Sequence, residues 1–205
     1  MTATTGDLQK AIKNLGSSIG ELASTMNSPK PDILNTQISK VTEMLFTICQ
    51  MLRIDPAEIT TRKMEINTLK YDEKECEKQK EIRKWTAFSE KTGITEKTEM
   101  PIVYTEITDQ TAENARNQFT LARVEIATKV KIFASKRNWL NKYNEYSLAL
   151  SLFAELGELA EVVQWDKQTT PLKTIKTKKM NNLAMELADI FIYIVHIRRV
   201  FDVTS

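Results

Sequence analysis

The sequence is poor in several residue types, and each shortage excludes something. Two cysteines, Cys49 and Cys76, give no disulfide framework and no zinc-ligand spacing, and fit a reducing compartment. One histidine, His196, excludes a di-iron carboxylate bundle, which pairs ExxH motifs with further glutamates. Five glycines supply no Gly-rich phosphate loop and no nucleophile elbow. Five prolines among 205 residues leave room for long uninterrupted helices. No apolar run reaches membrane-spanning length, and MTATTGDLQK lacks the basic and apolar regions of a signal peptide. The expected address is cytoplasmic, with a nuclear one left open. The net charge of +2 is spread along the chain and calls for neither nucleic acid nor a membrane surface.

What the chain does have is Leu, Ile, Met, Lys and Glu in helical periods, which predicts an all-α protein. Helices are expected over about 7–26 with Asp7 as cap, 32–53, 56–71, 111–137, 148–165 and 181–200. Residues 72–84 are nearly all charged or polar, and 85–111, with Gly93 and Pro101, read as an irregular connector.

Two of these helices carry acids on their apolar faces. Glu155 and Glu158 are three apart and share a face with the stripe Leu148, Leu152, Leu156, Leu159 and Val163. Glu186 and Asp189 repeat the spacing beside Tyr193 and Ile197. Glu161 lies on the far side, in solvent. A carboxylate facing a core costs several kcal/mol unless a cation or donor meets it (roughly). Four converging carboxylates need a counter-charge, and hard oxygen donors without His or Cys suit Mg²⁺, with Mn²⁺ as the substitute. The plainer reading, acids at the solvated rim of a bundle, suits one ExxE pair better than two.

A weak internal repeat accompanies the acids. Ser18-Ile19-Gly20-Glu21-Leu22-Ala23 aligns with Glu155-Leu156-Gly157-Glu158-Leu159-Ala160, and Gln37-Ile38-Ser39-Lys40 with Glu186-Leu187-Ala188-Asp189. The first copy keeps one acid of four. It is expected to hold no metal, with Lys40 pairing with Glu21 instead.

At these residues the sequence resembles the all-α nucleotide pyrophosphatases, the MazG-like superfamily, and most of all its dCTP pyrophosphatase branch. The pattern is ExxE, a spacer, then ExxD, met by Glu155, Glu158, Glu186 and Asp189. The resemblance implies Mg²⁺ binding by these four, with Glu158 or Glu155 acting on the attacking water. Trp139, Trp165 and Tyr193 match the branch's aromatics in type and spacing, and the resemblance implies that they surround the base. The likeness covers about 127–203. The family's final K-M-x-x-N-x-x-K/R-Y pattern lies beyond the last residue here, yet Lys63-Met64-Glu65-Ile66-Asn67-Thr68-Leu69-Lys70-Tyr71 reproduces it in the first half. Lys63, Asn67 and Lys70 are therefore candidate phosphate contacts, and Lys173, Lys176, Lys178 and Lys179 a second set.

The resemblance implies a tandem chain: a degenerate unit over 7–71, a charged helix and connector over 72–111, and a metal-binding catalytic unit over 112–205. Because the family assembles from paired subunits, a homo-oligomer or an intrachain pseudo-dimer is expected. Two departures fall on base and sugar recognition: Tyr143-Asn144-Glu145-Tyr146-Ser147 replaces an H-x-P-R/K-N stretch, and Val130 replaces a His. The implied activity is Mg²⁺-dependent cleavage of a nucleoside triphosphate, dCTP or another deoxypyrimidine triphosphate, to the monophosphate and pyrophosphate. The alternatives are a non-catalytic module of the same fold that binds nucleotide or protein, and a helical scaffold without a ligand.

Overall fold

The computed structural model describes residues 3–71, 73 and 109–203. The expected connector over 72–111, with Cys76 and Trp85, lies almost wholly outside them. The described residues form helices α1 (Thr5–Met26), α2 (Pro31–Leu52), α3 (Pro56–Lys70), α4 (Asp109–Lys136), α5 (Glu145–Val163) and α6 (Thr177–Val200), with a 3₁₀ turn at Leu172–Thr174. No strand occurs among them, as the composition predicts; the only extended pairing is a single bridge between Thr4 and Pro171.

The helix ends follow local chemistry. Thr4, not Asp7, caps α1: its hydroxyl accepts from the Asp7 amide, and the Asp7 carboxylate accepts from the Thr4 amide at 2.8 Å. Asp7 is the returning half of a capping box. Asp55 caps α3 by accepting from the Ala57 and Glu58 amides, with Pro56 at the first helical position where no amide is needed. Arg53 ends α2 in the left-handed region. Asn144 caps α5 through a reciprocal bond pair with Ser147.

Two helix pairs, α1 with α2 and α5 with α6, pack against each other through α1 and α5, and α2 also touches α6. The shared core holds Leu8, Leu15, Ile19 and Leu22 from α1, Ile38, Leu45 and Ile48 from α2, Leu148, Leu152 and Leu159 from α5, and Leu187, Ile190 and Ile197 from α6. Each buried leucine or isoleucine stabilises the folded chain by about 1.5–3 kcal/mol relative to exposure. That spacing of three and four is why a stripe of apolar residues becomes an interior.

The first half grips the second at two further places. The Gly6 amide donates to the Gln168 carbonyl at 2.9 Å, and Thr5 and Leu172 extend this contact between α1 and the α5–α6 connection. A side chain at Gly6 would bring its Cβ to 3.0 Å from the Gln168 Cβ and carbonyl oxygen, so any larger residue makes the connection give by a few tenths of an ångström. Gln9 Nε2 donates to the Val163 carbonyl at 2.8 Å, closing the end of α5. Helix α3 packs on α4 and α6. Buried Arg137 fixes that junction: its Nε donates to the Tyr71 carbonyl at 2.7 Å and its guanidinium lies 3.8 Å from the Phe133 ring centre.

Candidate functional site

Helices α3, α5 and α6 converge on a cavity of about 250 Å³. Glu155 and Glu158 line it from α5, Glu186 and Asp189 from α6, and Lys63, Asn67 and Lys70 from α3. Tyr71, Phe133, Trp139, Tyr143 and Tyr193 form its aromatic wall. The structure thus brings the basic motif of the first half to the acids of the second within one chain.

The acids are not equivalent. Glu155, Glu186 and Asp189 each place a carboxylate oxygen within 4.8 Å of the others. Oxygens on one Mg²⁺, at about 2.1 Å from the ion, lie up to about 4.2 Å apart, so small rotations close the three around a hard cation. Among the described residues this is the only such group of three or more donors. Glu158 lines the same cavity but is exposed and stands outside the close group. In the first half, Lys40 meets Glu21 at 2.6 Å, as the repeat predicts, with both side chains about half exposed.

Lys63 already brings one cation to the cluster. Its Nζ lies 2.5 Å from Asp189 Oδ2, with the side chains 10% and 14% exposed. Burial pulls the Lys63 ammonium toward its neutral form, but the charges of Asp189, Glu186 and Glu155 outweigh burial and hold it well above the usual lysine range. That charge does not fully relieve Glu155. The Glu155 carboxyl is pushed up to about 8, first by burial and then by Asp189, Glu158 and Glu186. A carboxyl raised by burial and neighbouring acids in this way keeps its proton more readily, and a bound cation would return it to the ionised form. The donor set, all carboxylate oxygen, fits Mg²⁺ or Mn²⁺.

The aromatic wall is held edge to face. Tyr71 and Phe133 meet Trp139 with centroids 4.9 and 5.5 Å away and planes at 76° and 79°. The Lys70 ammonium lies 5.3 Å from the Tyr71 ring. Tyr193 bonds Ser151, and burial pushes its phenol up to about 12. Tyr143 stacks on His196 at 4.4 Å, and burial drives the imidazole down to about 3, so it stays neutral. The sequence singles out Trp139 and Tyr193 and sets His196 at the edge of the acidic face, but passes over Tyr143 and Phe133 as cavity residues. For Tyr143 the signal was its place in a segment that departs from the family pattern.

Several candidates are not brought here. Trp165 is 89% exposed and does not line the cavity. Lys173, Lys176 and Lys178 are exposed and also lie outside the lining. Lys179 instead grips both carboxylate oxygens of Asp166, tying the start of α6 to the turn after α5.

With this geometry in view, similarity to known proteins bears on the reading. The chain is similar over 64 residues to dCTP pyrophosphatase 1 of Mus musculus. Identity is 39%, over 31% of this chain and 38% of the mouse protein. The same-named proteins of Rattus norvegicus and Bos taurus match at 38% identity over 64 and 65 residues. The chain therefore covers well under half the length of these relatives. No family model and no solved structure matches. No described helix is long and apolar enough to cross a membrane.

Proposed function

We propose that this chain hydrolyses a nucleoside triphosphate to the monophosphate and pyrophosphate with Mg²⁺, and that a deoxypyrimidine triphosphate such as dCTP is its substrate. The observation that carries the reading is the joining of three close carboxylates, a buried lysine and an aromatic wall in one cavity. The local likeness to dCTP pyrophosphatase 1 supports the same reaction.

Glu155, Glu186 and Asp189 would hold the metal, which supplies charge neutralisation at the phosphate oxygens. Glu158, exposed at the cavity, orients or deprotonates the water that attacks the α-phosphorus as the bond to the pyrophosphate oxygen breaks. Lys63, which pairs with Asp189 in the free chain, would meet a phosphate oxygen of the bound substrate. Asn67 and Lys70, on the same helix, contact the phosphates further along. Trp139 stacks on the base beside Tyr193, and stacking alone tolerates different bases, so polar edges must select among them. The presence of α3 and the acids in one cavity supports the intrachain pseudo-dimer, with the first half supplying cations and the second acids.

A second reading is favoured by the Lys63–Asp189 pair. A cluster that carries its own ammonium can bind a nucleotide without turning it over. Pyrophosphate release from a panel of triphosphates, with Mg²⁺ and with chelator, separates the two. Metal-dependent release from a deoxypyrimidine triphosphate supports the enzyme. Binding without release supports the module.

A further inference from the structure

A second cavity, of about 540 Å³, lies among α2, α4 and α6. Phe46, Val124, Val130, Phe191, Ile194 and Val203 give it mostly apolar walls, with Phe46 and Phe191 tilted at 55° and 5.8 Å apart. Its size falls within the range of small-molecule sites, about 300–1,000 Å³. None of the clustered acids lines it, and it shares only His196 with the acidic cavity.

Its polar feature is Arg199. Nε and Nη2 of this guanidinium are both buried, and neither has a hydrogen-bond partner. Those two nitrogens form the side-on edge of the group, the edge that receives the two oxygens of a carboxylate in parallel bonds; both are closed to solvent in the free chain, so the guanidinium must turn toward the cavity to meet a ligand. A buried charged donor without a partner is costly, and that cost is recovered when a ligand supplies the acceptor. His196 Nδ1 is likewise buried and unpartnered. The ionisable lining sets the charge of that ligand. Among the described lining residues, Lys131, Arg198 and Arg199 face Glu43 and Asp202, three cations against two carboxylates, which leaves one positive charge over. A monoanion neutralises it; a triphosphate overshoots it.

We propose that this cavity binds a small organic monocarboxylate with an aromatic or branched aliphatic body, its two oxygens received by Nε and Nη2 of Arg199. The body lies against Phe46 and Phe191, and no metal takes part. Because α6 carries Asp189 and Tyr193 in one cavity and Ile194 and Arg199 in the other, the two sites share a helix, and His196 borders both.

Calorimetric titration of the full chain with 2-naphthoate in chelator tests this. Saturable one-to-one binding is expected. The neutral isostere 2-naphthamide should bind at least about tenfold more weakly, the loss expected for a charge-assisted pair. Arg199→Gln should weaken naphthoate by a similar factor; the naphthamide comparison reads the same contact in the unmodified protein. Inorganic phosphate should compete poorly, and Mg²⁺ with dCTP should not displace naphthoate. Absence of saturable heat at millimolar naphthoate, equal binding of the amide, or equal competition by phosphate would each overturn the proposal. Displacement by Mg²⁺ and dCTP would also overturn it, by placing the ligand in the acidic cavity. These outcomes do not depend on whether the acidic cavity turns over nucleotide.

Discussion

Replacing Lys63 by Met removes the one buried ammonium of the acidic cavity and keeps most of the side chain's length. The pair it breaks is short, 2.5 Å to Asp189, and both side chains are largely shielded from water. Removing one partner of a buried pair costs about 3–5 kcal/mol, because the other charge is left uncompensated. Here the lower end applies, since the cavity opens to solvent, Asp189 has interactions besides the one with Lys63, and the acids can take up protons. Metal-free protein should therefore lose about 3 kcal/mol in urea unfolding. Mg²⁺ can occupy the place the ammonium leaves. At a hundred times its dissociation constant a ligand stabilises by about 2.7 kcal/mol, so saturating Mg²⁺ should recover most of the loss. Mg²⁺ should also bind the variant more tightly than the wild type, because its competitor is gone. Triphosphate turnover should nevertheless fall, since Lys63 no longer meets a phosphate. Equal destabilisation with and without Mg²⁺, or weaker Mg²⁺ binding by the variant, would refute the reasoning that ammonium and metal compete for the same oxygens.

Other consequences are as direct. With the Glu155 carboxyl at about 8, metal binding must displace its proton, so Mg²⁺ affinity should rise from pH 6 to pH 8.5 in calorimetric titrations and flatten above. The same shift has a stability sign. The folded chain binds the proton more tightly than the unfolded chain between pH 4.5 and about 8, so in chelator Glu155 withdraws stability as pH rises through that window. Gly6→Ala, whose Cβ meets Gln168 at 3.0 Å, should lower stability by about 1–3 kcal/mol in thermal unfolding; an unchanged midpoint would mean that the α1 contact with the α5–α6 connection yields freely. Lys40→Met, at a half-exposed pair, should cost under about 1 kcal/mol and leave turnover intact. Trp165→Ala should alter turnover less than twofold if the site is complete within one chain; a large loss would show that a second chain brings this tryptophan to the base.

Much of the site was legible because helical spacing is a strong constraint. Residues three apart on a helix share a face whatever the rest of the chain does, and Glu186 and Asp189 duly stand together. The meeting of Lys63 with Asp189 was legible only in part. A motif match offered Lys63 as a phosphate contact, but spacing cannot say that α3 docks on α6, because their residues are far apart in sequence. Glu158 shows the opposite limit: it shares a helix face with Glu155, yet one turn of rise leaves it exposed while Glu155 is half buried. Trp165 and Lys179 were offered by pattern, and tertiary packing sends one to the surface and the other to Asp166. The cap of α1 was misplaced by three residues because Thr4 and Asp7 are both acceptable cap residues, and only the bond pattern assigns their roles. The second cavity had no sequence signal, since its walls come from three helices with ordinary apolar periods.

The central claim is that Glu155, Glu186 and Asp189 converge to hold a divalent cation. Anomalous diffraction at the manganese edge, from crystals grown with Mn²⁺ and a non-hydrolysable triphosphate, tests it most directly. The account predicts a peak within coordination distance of all three carboxylates, with the Lys63 ammonium displaced from Asp189. Density elsewhere, or none with Lys63 still on Asp189, would contradict it.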